Sequence, residues 1–210
     1  MNQAENREYR RQSLLRAAMK TVARFDIQGA TVERICAEAG ASRGLIAHYF
    51  DSKEALLLAA LQHWFETAIA IKRDIAADES LDVEARIRRI SDSNFAAPAY
   101  SWEKAAAWQA FTNASRHHRA YADAIRLASR GVRQLLEPLF EAAAATRGID
   151  IDSVFAAKSL YALEDGLWNS LATGKDDLKL GEARRACDRF IDGCLAGTFD
   201  SPSAHGAESS

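Results

Sequence analysis

Apolar residues recur along this chain at steps of three and four, the repeat of amphipathic helices, over almost its whole length. No stretch shows the alternation of a strand. Leu14, Leu15, Ala18, Met19, Val22 and Phe25 form one apolar stripe, which predicts a first helix over about Asn6–Phe25, closed by Gln28-Gly29. Thr31 is placed to cap a short second helix, with Glu33 near its positive end. Gly40 breaks that helix, and Ser42 caps another that ends near Phe50. Asp51 to Glu54 has the spacing of a capping box with Asp51 as cap, opening a long helix to about Asp78. Further helices are predicted over Val83–Ala96, Ser101–Ser115, Arg119–Ala145, Ser153–Thr173 and Leu180–Leu195, with breaks at Pro98, Gly148 and Gly174. Pro138 lies inside a helical pattern and predicts a bend near Glu137. The tail over 201–210 is small, polar and expected to be disordered.

Composition supports an all-α protein with a substantial core: 48% of residues are hydrophobic and only three are proline. The net charge of −2 is unevenly spread. Residues 1–50 carry eight Lys and Arg against five Asp and Glu, a net +3 that leaves −5 for the rest. A basic head on an acidic body suits contact with phosphate at one end only. Cys36, Cys187 and Cys194 have no Cys-x-x-Cys spacing and read as reduced thiols. The N-terminus lacks the apolar core of a signal peptide, and no apolar run approaches a membrane span. A cytoplasmic protein with no membrane partner is expected.

The segment from Thr31 to Phe50 carries the functional signal. Two helices of about two turns each meet at Gly40, and Val32, Ile35, Ala39, Leu45, Ile46 and Phe50 supply a small shared core. This is the construction of a helix-turn-helix, whose second helix protrudes into the major groove of double-stranded DNA. The face left outside holds Ser42, Arg43, Gly44, Ala47, His48 and Tyr49. Arg43 stands where base edges are read and has the fork that matches guanine. Gly44 permits close approach of the backbone. His48 and Tyr49 suit phosphate or sugar, and Thr31 and Ser42 offer hydroxyls and helix N-terminal amides to phosphates. Lys53 can reach a further phosphate. Each residue also has a structural reading: Thr31 and Ser42 as caps, Tyr49 as partial core, Arg43 and His48 as solvated surface.

The block from Ala30 to Leu57 resembles the signature of the tetracycline-repressor (TetR) family, and the helical pattern before and after it is similar to that family's plan. The resemblance implies a homodimer that places one recognition helix per subunit in successive major grooves of a near-palindromic operator. It also implies a C-terminal pocket for a small effector that releases the DNA. The domains are then a helix-turn-helix head over 1–54, a larger helical ligand-binding and dimerisation domain over 55–200, and the tail over 201–210. Within the family, Ile46–Phe50, Asn94-Phe95, Trp108–Phe111 and Glu164–Trp168 are similar to its choline-responsive branch, while Ala97 to Tyr100 and Thr112 to Arg116 depart from it.

The C-terminal part concentrates aromatic residues, Trp102 among them. Trp108 and Phe111 share one helix face by spacing, and Tyr161, Glu164 and Trp168 share another. If the two faces meet, rings and a carboxylate converge on a site suited to a quaternary ammonium such as choline. The alternative is a packed aromatic core with Glu164 or Asp165 paired to an arginine. The helix over 153–173 is apolar on more than one face, and Ala183, Cys187, Phe190, Cys194 and Leu195 form a stripe on the last helix. These two helices are expected to form a four-helix dimer seam through Leu160, Leu167, Leu171, Cys187, Phe190 and Cys194, packing within one chain being the alternative. No cofactor, metal or catalytic motif stands out. His117 and His118 are adjacent and diverge on a helix, and neither a Gly-x-Ser-x-Gly nor a phosphate loop occurs. An enzyme is not expected. The remaining alternatives are a helical adaptor that keeps the head without binding DNA, and activation in place of repression.

Overall fold

The computed structural model describes residues 2–174 and 177–198, and the predicted tail lies outside them. Nine helices and no strand occur among the described residues: α1 (Gln3–Gly29), α2 (Val32–Ala39), α3 (Arg43–Tyr49), α4 (Lys53–Ala76), α5 (Val83–Ser93), α6 (Trp102–Ala114), α7 (Arg119–Arg147), α8 (Ser153–Thr173) and α9 (Leu180–Leu195). No helix among these residues is long and apolar enough to cross a membrane.

Local chemistry explains the boundaries. The helical dihedrals of α1 break at Asp26, whose φ of 61° and ψ of 175° strain a non-glycine residue. The Asp26 carboxylate accepts the Ile27 amide at 2.6 Å, stabilising the break one residue past the predicted end. Gly40 takes the left-handed conformation, φ 60°, that closes α2, and the Ala41 amide returns to the Cys36 carbonyl at 2.9 Å. The cap of α4 is a correction: Ser52, not Asp51, accepts the Ala55 amide, at 3.0 Å. Either side chain has the chemistry, and the helix start selects the residue just before Lys53. α7 runs through Pro138 without interruption.

The chain divides into two compact units. One comprises residues up to 68 together with 101–128; the other comprises 69–100 and the described residues from 129 onward. This grouping differs from a boundary after residue 54, because α1 packs along α6. In the first unit Leu14, Leu15 and Val22 of α1, Ile35 of α2, Ile46 of α3 and Leu56, Leu57 and Leu61 of α4 are buried. Each such side chain contributes about 1.5–3 kcal/mol of apolar burial. Glu38 ties α2 to α1 through Arg24 at 3.1 Å and Lys20 at 3.4 Å.

In the second unit Ile87, Ile90 and Phe95 join Leu136 and Phe140 of α7, Ala157 and Leu160 of α8, and Cys187, Ile191 and Cys194 of α9 in the core. Charged pairs fasten its rim. Arg147 forks onto Glu84 at 2.5 and 2.8 Å, and Arg88 reaches Asp192 at 2.6 Å. Of the residues expected in the seam, Leu160, Cys187 and Cys194 are at most 1% exposed within the single chain. Their stripe faces the chain's own core. Leu167, Leu171 and Phe190 are half-buried, and Val154 and Phe155 are exposed on α8. Burial pushes the thiol of Cys187 up to about 12 and that of Cys194 up to about 11, so neither is a thiolate at neutral pH.

Candidate nucleic-acid interface and effector site

The head builds its outer face from capped ends. Thr31 accepts the Arg34 amide at 3.4 Å, and Ser42 accepts the Leu45 amide at 3.2 Å. Ile46 turns inward at 3% exposure, which leaves Arg43, Gly44, Ala47 and His48 outside. Arg43 bonds to Glu33 at 2.6 Å, an exposed pair that a phosphate or base edge can replace. The Glu33 carboxyl is held below the usual carboxylate range by its own backbone amide, by the Thr31 hydroxyl and by Arg43. A Cβ added to Gly44 would meet only the Ser42 hydroxyl, at 3.9 Å. The fold itself does not require glycine there.

Two residues of the expected interface have contacts of their own. The Tyr49 hydroxyl donates to the Arg7 carbonyl at 3.3 Å, tying α3 to the first turns of α1. Lys53 is half-buried, and its ammonium donates to the Ile27 carbonyl at 3.2 Å. Between α1 and α3 lies an open cleft of about 620 Å³, lined by Asn6, Arg7, Arg10, Leu45, His48 and Tyr49 among others. Among the described residues Arg7 has no acidic partner, and Arg10 donates to the Asn6 side chain at 3.2 Å. Sequence reasoning counted both only in the net charge of the head. Their spacing gives no sign of the fold bringing them beside the second helix of the motif.

The six aromatic and acidic residues expected in an effector site fall into separate groups. Trp102 is 54% exposed at the start of α6. Trp108 packs edge-on to Trp64 at 6.0 Å and Phe65 at 5.8 Å, and Phe111 lies against Tyr121 at 5.2 Å, all within the first unit. Tyr161, Glu164 and Trp168 belong to the second unit. There the Trp168 ring stands edge-on to Tyr100 at 5.4 Å, and its indole N–H donates to the Asn94 carbonyl at 3.0 Å. Burial pushes the Tyr161 hydroxyl up to about 12, with the Asp165 charge adding to the effect.

Glu164 is 5% exposed, and its Oε2 accepts the Asn94 side-chain amide at 2.7 Å. Burial pushes its carboxyl up to about 7, against the pull of the Ser91 hydroxyl, the Lys72 ammonium and the Asn94 amide. Ser91 is near enough to act on the carboxylate, yet neither its Oγ nor Glu164 Oε1 has a partner with hydrogen-bond geometry. The opposing charge is thus Lys72 of α4, not an arginine. Lys72 is 3% exposed, and burial draws its pKa down while Glu164 draws it up. Sequence reasoning missed Lys72, Ser91 and Tyr100. The available signal for Lys72 was its place three residues from both Ile69 and Ile75, on the apolar stripe of its helix. No group of three or more metal-ligating side chains occurs among the described residues.

Two family descriptions match this chain. "Bacterial regulatory proteins, tetR family" covers residues 14–60, and "BetI-type transcriptional repressor, C-terminal" covers 83–196. The transcriptional regulator BetI of Proteus mirabilis is 32% identical over 87% of this chain and 90% of its own length. BetI 2 of Chromohalobacter salexigens is 31% identical over 89% of this chain and 88% of its own. A Pseudomonas aeruginosa PAO1 structure described as a transcriptional regulator superposes with a TM-score of 0.78 at 30% identity, over 91% of this chain and 92% of that one. A Saccharomonospora viridis regulator solved in complex with choline has the same fold, with a TM-score of 0.77 at 23% identity, over 87% of this chain and 95% of that one.

Proposed function

Because this chain belongs to the tetR family of bacterial regulatory proteins, with a C-terminal domain of the BetI type, we propose that it works in the cytoplasm as a homodimeric repressor. It binds a near-palindromic operator through α3 and releases it when a small effector with a quaternary ammonium group is bound. The observation that carries the reading is the capped α3, whose outer face presents Arg43, Gly44 and His48 around a buried Ile46. Arg43 exchanges Glu33 for guanine in the major groove, and Gly44 brings the backbone close. Thr31 and Ser42 direct helix N-terminal amides at phosphates. Tyr49 orients the first turns of α1, so that Arg7 and Arg10 join the phosphate contacts. Lys53, bonded to the Ile27 carbonyl and 3.9 Å from the exposed Glu54 carboxylate, exchanges Glu54 for another phosphate.

The dimer uses the outer faces of α8 and α9, where Phe155, Leu163, Leu167, Leu171 and Phe190 lie outside the subunit core. Two-fold symmetry then sets the heads on half-sites about one helical turn of DNA apart. The effector site is built on Glu164, Trp168, Tyr100 and Asn94. Ring faces and a buried carboxylate suit a quaternary ammonium, and the choline bound by the Saccharomonospora viridis protein supports that class. Trp108 and Phe111 with their ring partners serve as core in the first unit.

Helix α4 is the lever. It runs from Lys53, just after α3, to Ala76, and Lys72 of the Glu164 site lies in its last turns. An effector that favours a shifted α4 favours the arrangement in which the heads no longer fit successive grooves. A preference of about 1–3 kcal/mol lowers operator affinity about 5–150-fold.

Fluorescence anisotropy with the DNA upstream of the protein's own gene tests the reading. Wild type is expected to bind as a dimer and to be released by choline at millimolar concentration. Arg43→Ala is expected to lose about 1–3 kcal/mol per half-site and to relax specificity at one base pair. No binding to any fragment of that DNA would leave the helical-adaptor alternative standing instead.

A further inference from the structure

The charges around Glu164 do not suit a purely cationic effector. Lys72 and Glu164 are both at least 95% buried in the second unit. Lys72 makes no hydrogen bond or close ion pair with any described residue, although the Glu164 carboxylate acts on it. Glu164 spends Oε2 on Asn94 and keeps Oε1 unpartnered, as is the buried Ser91 hydroxyl. Tyr100 and Trp168 supply the aromatic wall, Trp168 lying one helical turn after Glu164.

Electroneutrality then discriminates between ligand classes. Buried charges are stable only when matched and hydrogen-bonded. With Lys72 and Glu164 both charged, a simple ammonium such as choline would leave two positive charges to one carboxylate. A simple carboxylate would leave two negative charges to one lysine. A molecule that carries both charges leaves neither group unmatched. A single lysine ammonium fits a singly charged carboxylate better than a phosphate dianion.

We propose that the effector is a small zwitterion, a quaternary ammonium joined through a short carbon link to a carboxylate. Its carboxylate is held by Lys72 Nζ, and its ammonium by Glu164 Oε1 and the rings of Tyr100 and Trp168. This rests on the effector-released repressor reading above and narrows its ligand from cation to zwitterion.

Isothermal titration of the full-length protein with glycine betaine, choline, phosphocholine and acetate tests the proposal, with operator anisotropy in parallel. Wild type is expected to bind glycine betaine at least about tenfold more tightly than choline. Lys72→Met is expected to reverse that preference, and Glu164→Gln to weaken both ligands. Thermal melts establish that the variants fold, and the wild-type ranking decides the matter without them. Choline binding as tightly as glycine betaine, acetate competing equally well, phosphocholine binding best, or no saturable binding of any of the four would overturn the proposal. So would a Lys72→Met variant with the wild-type ranking. If operator is bound and choline alone releases it, the repressor reading stands and the zwitterion fails. If no operator is bound, the repressor reading itself fails.

Discussion

Replacing Arg7 with alanine isolates the contribution of the cleft between α1 and α3. The Arg7 carbonyl accepts the Tyr49 hydroxyl at 3.3 Å, which holds this turn of α1 beside the recognition helix whatever the residue 7 side chain is. The guanidinium is exposed and has no carboxylate partner among the described residues, so its removal leaves no buried charge and little stability should be lost. On DNA, each phosphate neutralised contributes about 0.9 to the slope of log affinity against log salt. With one Arg7 in each of two subunits, Arg7→Ala should flatten that slope by about 1.8. Between about 50 and about 200 mM salt, wild type should then lose about twelvefold more affinity than the variant does. Arg7→Ala with Arg10→Ala should flatten the slope by about 3.6, while Arg7→Lys should restore it. Operator anisotropy across a potassium chloride series, with a thermal melt as folding control, reads the effect. An unchanged slope, or a loss that depends on operator sequence, would refute a phosphate role for this cleft.

Gly44→Ala should leave stability unchanged or raise it by up to about 1 kcal/mol, since alanine favours the helix, while weakening operator binding because the methyl group stands between α3 and the groove; melts and anisotropy on one sample separate the two. Ile46→Ala, at a side chain 3% exposed, should cost about 2–5 kcal/mol in urea unfolding at fixed protein concentration. Ser42→Ala should cost about 1 kcal/mol through loss of the cap on the Leu45 amide, with a shifted midpoint and unchanged m-value. Glu164 makes stability depend on pH: its folded pKa of about 7 lies above the ordinary 4.5, so the folded state binds the extra proton. That contribution is complete below about pH 4.5 and is lost as pH rises through 7, to a total of about 3 kcal/mol. Unfolding midpoints from pH 5 to 8 should therefore fall more steeply for wild type than for Glu164→Gln, and equal slopes would show that the carboxyl is not raised.

Much of the head was legible in the chain itself, because its determinants are local. Caps at Thr31 and Ser42, the glycine at 40 and apolar steps of three and four act over a single turn, and every predicted helix is present within a few residues. The ambiguity of Asp51 and Ser52 is of the same kind: adjacent residues with equal capping chemistry, separated only by where α4 begins. What no spacing could decide is which apolar face meets which neighbour. Leu160, Cys187 and Cys194 have the pattern of a seam and are consumed by their own subunit's core, while Trp108 and Trp168, both aromatic and helical, take ring partners in different units. Spacing places Lys72 on the apolar stripe of its helix but does not name its partner. Only tertiary packing buries it near Glu164, where desolvation pushes the carboxyl up and the ammonium down while each charge acts on the other. Helix and cap follow from interactions a few residues apart, whereas burial and charge pairing depend on groups that the chain brings together from as far apart as positions 72 and 164.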